Sequence, residues 1–115
     1  MIDWTKLWRG FGWAWAGLRY TARTQQNFRI HLAVGAAVLI AAALADLAPM
    51  RVAVLVMLIC LVLSAELLNT AVEVVVDLVS PEHNRLAGIA KDVAAGAVLV
   101  CAVGAVIIGI IVFMG

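Results

Sequence analysis

The chain has 115 residues, of which 66% are hydrophobic and 13% are charged, and its formal net charge is +1. A mean hydropathy of +1.12 lies far outside the range of soluble globular domains, which excludes a water-soluble enzyme or binding module. We therefore expect a single all-α integral membrane domain over residues 1–115.

The first predicted element, residues 3–24, has the pattern of an amphipathic helix that lies on a membrane surface. Bulky apolar side chains recur at three- and four-residue intervals and give the helix one apolar face. These side chains are Trp4, Leu7, Trp8, Phe11, Trp15 and Leu18. Basic residues recur too often for this helix to cross hydrocarbon, and tryptophan favours the headgroup level. The alternative is a helix packed on other protein.

Three apolar segments follow, residues 30–48, 51–79 and 88–114, and each is long enough to be a transmembrane helix. The second has 29 residues and would be about 43 Å long, which exceeds the hydrocarbon thickness of about 30 Å. Its first part, residues 52–65, is uncharged. The polar residues that follow are therefore predicted to run from the inner part of the bilayer to its surface.

The basic residues predict the orientation of the chain. Of the eight lysines and arginines, seven precede the first span or lie between the second and third, and only Arg51 lies on the other side. The positive-inside rule therefore places the N-terminus and residues 80–92 in the cytoplasm.

A polar stripe interrupts the second span and is the candidate site. Glu66, Asn69, Glu73 and Asp77 follow one another at intervals of three, four and four residues, which place all four on one face of an α-helix. A charged residue at the bilayer centre costs about 2.5–3.5 kcal/mol and is usually functional. Function is therefore expected on this stripe.

These residue types suit phosphoryl transfer, which needs a base, a metal site and a cation. Glu66, flanked by hydrocarbon, is a candidate proton acceptor. Glu73 and Asp77 lie nearer water and suit a divalent cation, because Mg²⁺ takes one or two carboxylates and further oxygens from water and phosphate. Lys91 can supply a point charge to phosphate oxygens, and Asp92 can orient a donor or bind metal.

The residues alone leave three interpretations open. The stripe can be a catalytic site, a pathway for protons in a small proton-coupled transporter, or a set of interhelical hydrogen bonds. The chain has no GxxxxGK[ST] loop, so a nucleotide site would be of another type.

Several ordered motifs resemble the prokaryotic diacylglycerol kinase family, which includes undecaprenol kinases. The central ones are AELLNTAVE at 65–73, VD at 76–77 and AKD at 90–92, preceded by WAGLR at 15–19 and NFRIH at 27–31. The resemblance covers nearly the whole chain. SPE at 80–82 and DVAAGAVL at 92–99 are closer to the undecaprenol kinase branch.

The resemblance implies a homotrimer in the bacterial inner (plasma) membrane, with a surface helix, three spans per subunit and active sites between subunits. It implies ATP with Mg²⁺ as phosphoryl donor, a membrane lipid alcohol (undecaprenol or diacylglycerol) as acceptor, and no nucleic-acid partner. Glu66 matches the general base, Asn69 the amide beside the reacting groups and Glu73 a Mg²⁺ ligand. Further positions match nucleotide contacts, namely Asp77, Glu82, Lys91 and Asp92.

The remaining positions carried over by the resemblance lie before or at the start of the first span. Lys6 and Trp13 would contact nucleotide from the surface helix, and Arg19 and Phe28 would contact the lipid. Gln25 stands where the family usually has glutamate as a second metal ligand. An amide oxygen can coordinate Mg²⁺ but carries no charge, so an accessory subunit with a degenerate metal site is a further alternative.

Overall fold

The computed structural model describes all 115 residues and contains four α-helices and no strand. The helices are α1 (Trp4–Thr24), α2 (Gln26–Leu44), α3 (Pro49–Val79) and α4 (Arg85–Met114). Helices α2, α3 and α4 are long and apolar enough to cross a membrane. The predicted all-α membrane fold with three spans and a preceding helix is confirmed.

Helix α1 is exposed on nearly all sides. The Asp3 carboxylate caps its start by accepting a hydrogen bond from the Lys6 N–H at 3.1 Å. All four tryptophans of the chain lie in α1 and are exposed, and Thr21 is its only buried residue. Bulky indoles that protein does not cover are free to enter the headgroup region.

A single extended residue, Gln25, separates α1 from α2. The Arg29 guanidinium donates hydrogen bonds from Nη1 to the carbonyl oxygens of Ala22 at 2.8 Å and Arg23 at 3.1 Å. These carbonyls belong to the last turn of α1, where a cation is favoured. Arg29 thus joins the end of the surface helix to the first span.

Each of the three long helices begins earlier than the apolar segment predicted for it, and α2 also ends earlier. Helix α2 runs from Gln26 to Leu44 instead of 30–48, because polar residues continue the helix beyond its apolar part and a turn at residues 45–46 ends it. Asp46 adopts a positive φ of 52° in that turn, a conformation that aspartate tolerates. Helices α3 and α4 begin at Pro49 and Arg85, not at 51 and 88, since Pro at N1 and an Asn84 cap start them.

Helix α3 packs against all the other helices and most extensively against α4. Its buried residues are Leu55, Val62, Glu66 and Thr70, which share one face of the helix. Gly35 of α2 allows a close approach on this face, because a Cβ at that position would lie 3.0 Å from Cγ2 of Ile59. The inward-facing Glu66 is therefore held between packed helices.

At the end of the bundle where α3 begins, Arg51 joins α3 to α4. Its Nη1 donates a hydrogen bond to the carbonyl oxygen of Val112 at 2.9 Å, in the last turn of α4. Arg51 therefore lies at one end of the bundle, whereas the start of α4 and the other basic residues lie at the opposite end.

Candidate active site

The polar stripe on α3 changes from buried to exposed along its length. Glu66 is 2% exposed, Asn69 and Glu73 are half-buried, and Asp77 is exposed. Thr70, also buried, donates from its hydroxyl to the Glu66 carbonyl oxygen at 2.9 Å, so it is satisfied within the helix. The four predicted residues thus form a path from the packed interior to the end of the bundle.

The Glu66 carboxylate has an oxygen with no hydrogen bond. Oε1 is buried and unpartnered, and the closest ionisable group is His31 of α2, whose Nε2 lies 3.3 Å away. That distance is within ion-pair range, and no hydrogen bond joins the two atoms. Because buried polar atoms are nearly always hydrogen-bonded, an unpartnered carboxylate oxygen requires an explanation. This oxygen is free to accept a hydrogen bond or a proton from a bound molecule.

Asn69 and Glu73 are joined one turn further along the stripe. Asn69 Nδ2 donates to Glu73 Oε1 at 3.3 Å, and Asn69 Oδ1 is buried without a partner. The bond to Glu73 orients the amide with its oxygen free. Two unpartnered acceptor oxygens, of Glu66 and Asn69, therefore lie one helical turn apart on the same stripe.

Asp77 is paired with Lys91 across the end of the bundle where α3 ends and α4 begins. Lys91 Nζ lies 2.6 Å from Asp77 Oδ1, and the two side chains are 40% and 65% exposed. Exposed pairs of this kind contribute little to stability, so the contact is better understood as placing a cation and a carboxylate at the exposed end of the stripe. Asp92 follows Lys91 in the sequence, and Glu82 lies between α3 and α4. Both side chains are exposed, and neither forms an ion pair.

The carboxylates do not by themselves form a metal cage, because no three His, Cys, Asp or Glu side chains cluster in a metal-binding arrangement. Glu73 is half-buried beside the free Asn69 oxygen, and Gln25 is half-buried at the α1–α2 junction with no capping hydrogen bond from its side chain. Carboxylate and amide oxygens are donor types that suit Mg²⁺, which needs only one or two protein carboxylates when it arrives with phosphates; no hydrogen bond joins Gln25 to Glu73 within one chain.

The predicted contacts of the surface helix lie apart from this network. Lys6, Trp13 and Arg19 are exposed on α1, and none of their side chains makes a hydrogen bond or ion pair with the stripe. Phe28 is 3% exposed, so it is packed among other side chains within one chain. The structure therefore brings together the α3 residues and Lys91 but not the α1 residues.

Sequence reasoning did not anticipate the contact of His31 with Glu66. The two residues lie 35 positions apart, and only the packing of α2 on α3 brings them together. The signal available in the sequence was a single histidine, His31, at the start of an apolar segment.

An apolar groove with a volume of about 610 Å³ runs between α2, α3 and α4 and reaches His31. Its walls are formed by aliphatic side chains of all three helices, with Phe113 and Met114 at the far end. The groove therefore reaches the histidine that contacts Glu66, although Glu66 itself is not among its lining residues.

Comparison with known proteins supplies the family. The model of the prokaryotic diacylglycerol kinase family matches residues 12–113. A diacylglycerol kinase of Synechocystis is 56% identical over 100 residues, which is 86% of this chain and 57% of that protein. An undecaprenol kinase of Bacillus subtilis is 44% identical over 95% of this chain and 89% of its own length.

A more distant relative is the diacylglycerol kinase of Escherichia coli, 36% identical over 90% of this chain and 84% of its own length. This chain thus spans a little over half of the Synechocystis protein and most of the other two. Because the family model matches nearly the whole chain, this multi-pass membrane protein belongs to the prokaryotic diacylglycerol kinase family.

Proposed function

We propose that this protein is a membrane lipid kinase that transfers the γ-phosphoryl group of ATP to the hydroxyl of a lipid alcohol. The observation that carries the proposal is the buried Glu66 carboxylate, which has an oxygen without a hydrogen bond at the inner end of a polar stripe. Membership of a family named for lipid phosphorylation supports a kinase over a proton-coupled transporter that uses the same carboxylate.

In the proposed mechanism, Glu66 accepts the proton of the lipid hydroxyl as that oxygen attacks the γ-phosphorus. General base catalysis of this kind typically contributes 10²–10⁴-fold. Asn69, whose Oδ1 is free, positions the reacting groups beside Glu66. The nucleotide lies toward the exposed end of the stripe, because Lys91 places a cation there, 2.6 Å from Asp77.

Glu73, with Gln25 as the second donor, would hold Mg²⁺. When bound there, Mg²⁺ would supply positive charge that offsets the charge of the phosphate groups. Glu73 is already oriented by Asn69 Nδ2, so the carboxylate needs little rearrangement. Glu82 and Asp92, with Lys6 and Trp13 from α1, are proposed to complete the nucleotide site.

The acceptor is proposed to be a lipid with a long hydrocarbon chain. The groove between the three spans is almost entirely apolar and reaches His31, which contacts Glu66. Arg19 is proposed to contact the lipid head. Relatives are named for both diacylglycerol and undecaprenol, and the SPE and DVAAGAVL motifs favour undecaprenol.

The active unit is proposed to be a homotrimer of single-domain subunits in the bacterial inner membrane, with the N-terminus in the cytoplasm. Only 9 of 115 residues are buried in one chain, so most apolar side chains are available to lipid or to other copies. Sites between subunits would also bring a neighbouring α1, with its nucleotide contacts, to the stripe of α3.

The direct test is phosphorylation by the purified protein in mixed micelles that contain either undecaprenol or diacylglycerol. With [γ-³²P]ATP and Mg²⁺, label should move to lipid, faster with undecaprenol, and chelation of Mg²⁺ should stop the transfer. Label on diacylglycerol alone would overturn the acceptor preference. Absence of labelled lipid with either acceptor would contradict the kinase proposal.

The departure at Gln25 has its own test. If Gln25 serves as the second metal ligand, Gln25→Glu should lower the Mg²⁺ concentration for half-maximal activity, because it adds a charged oxygen. Activity that appears only in Gln25→Glu would instead favour an accessory subunit with a degenerate site.

A further inference from the structure

The proposed reaction releases a proton that the structure must conduct away from Glu66. A neutral lipid hydroxyl and ATP become a phosphate monoester and ADP, and one proton is left over near neutral pH. Glu66 would take that proton as the bond from the lipid oxygen to phosphorus forms and the bond to the ADP oxygen breaks. The Glu66 side chain is only 3% exposed, so direct return of the proton to water is obstructed.

His31 is the one ionisable side chain that lies against Glu66. Its Nε2 is 3.3 Å from Glu66 Oε1, and its side chain is 26% exposed. No charged group of α1 or α4 forms an ion pair with either residue. Arg29, the nearest charge on α2, is engaged with carbonyl oxygens of α1. The imidazole therefore bridges a buried carboxyl and a more open environment.

The chemistry of this pair suits proton transfer. When imidazole carries its proton on Nδ1, Nε2 and a carboxylate oxygen are both acceptors and have no proton to share. This agrees with the missing hydrogen bond at Oε1. Protonation of Glu66 would supply that proton and draw the two groups into a hydrogen bond.

The path outward from His31 is short. His31 is five residues from the start of α2 at Gln26, which is about 7.5 Å along the helix axis. The intervening turn carries Gln26, Asn27 and Arg29, all polar, so it lies toward the membrane surface. Interfacial water or a lipid headgroup can accept a proton there.

We propose that His31 is a positioning and proton-relay residue that acts through Glu66. Nε2 takes the proton that Glu66 has accepted from the lipid hydroxyl, and Nδ1 releases a proton to interfacial water. Proton exchange with that water then returns the ring from the Nε2–H to the Nδ1–H tautomer, which restores both groups for the next turnover. This inference rests on the kinase function proposed above and adds a residue that regenerates its base.

The test combines His31→Ala, His31→Gln and external imidazole in the lipid kinase assay. His31→Ala should lower kcat by about 10-fold or more with the KM for ATP little changed, and imidazole should restore part of kcat by entering the space left by the ring. His31→Gln keeps a polar group at that position but cannot carry a proton, so its kcat should fall similarly without rescue. The exposed His83→Ala is the matched control and should keep wild-type kcat with or without imidazole.

Helix content and the unfolding midpoint in SDS show whether each variant is folded. Wild-type kcat in folded His31→Gln, or a loss in folded His31→Ala that imidazole does not reverse, would overturn the relay while leaving the kinase function intact. If the wild-type protein transfers no phosphate to lipid, the proposed function itself fails, and the relay fails with it.

Discussion

Replacement of Glu66 by glutamine should make the protein more stable while it removes the proposed base. The substitution keeps the shape of the side chain and removes only the capacity for charge. Glu66 is 2% exposed and Oε1 has no hydrogen bond, so no observed side-chain hydrogen bond is lost. A buried charge that is not compensated is costly, and its removal relieves that cost.

The size of the gain follows from the depth of Glu66. A charged residue at the bilayer centre costs about 2.5–3.5 kcal/mol, which is an upper limit here. Glu66 lies 13 residues before the end of α3 at Val79, about 20 Å along the axis, and packed side chains cover it instead of lipid. We therefore expect Glu66→Gln to raise the free energy of unfolding by about 1–2 kcal/mol.

The assay is unfolding by SDS in mixed micelles, followed by far-UV circular dichroism. Tryptophan fluorescence is unsuitable because all four tryptophans lie in α1, outside the bundle that unfolds. Glu82→Gln, in the exposed 80–84 segment, is the matched control and should leave the midpoint unchanged. A loss of more than about 1 kcal/mol in Glu66→Gln would show that Glu66 makes a structural contact. An unchanged midpoint would show that the Glu66 side chain carries no net cost of burial. Either result refutes the reasoning.

Three other substitutions test separate parts of the structure. Glu73→Gln should raise the Mg²⁺ concentration for half-maximal kinase activity about tenfold or more without loss of helix content, because a ligand charge is removed; an unchanged Mg²⁺ dependence would exclude Glu73 as a ligand. Arg51→Gln should lower the free energy of unfolding by about 1 kcal/mol, since it breaks the hydrogen bond to the last turn of α4, and should leave the KM for ATP unchanged; a shift of that KM without loss of stability would contradict a purely structural role. Gly35→Val should lower the free energy of unfolding by about 1–3 kcal/mol, because its Cβ would lie 3.0 Å from Ile59. Gly104→Val, where a Cβ meets no atom within 4 Å, should not lower it. Equal losses in the two variants would show that the close approach of α2 and α3 does not cause the destabilisation.

Periodicity predicts the order of the polar residues along α3 but not their partners. The three- and four-residue intervals from Glu66 to Asp77 are a property of one helix, and the structure places these side chains on one stripe as expected. Contacts between helices depend on how the helices cross and rotate, which no local pattern specifies. The contact of His31 with Glu66 and the pairing of Lys91 with Asp77 could therefore be found only from the packed structure.

The helix boundaries show a second limit. Apolar runs indicate where hydrocarbon can begin, whereas capping and polar turns determine where a helix begins. Gln25, the residue at which the chain leaves α1 and enters α2, is neither glycine nor proline and gives no break signal of its own. The function could not be predicted from helix patterns in the same way. The polar residues alone left a catalytic site, a proton pathway and a structural role open, and the family motifs favoured catalysis.

The central claim is that Glu66 is the base in transfer of phosphate from ATP to a lipid hydroxyl. The most direct measurement is the single-turnover rate of ³²P transfer to lipid by wild-type protein and by folded Glu66→Gln, at saturating ATP, Mg²⁺ and lipid. The account predicts Mg²⁺-dependent transfer by the wild type and a rate lower by about 10²–10⁴-fold in the variant, with nucleotide binding retained. A Glu66→Gln rate within a fewfold of the wild-type rate would contradict it.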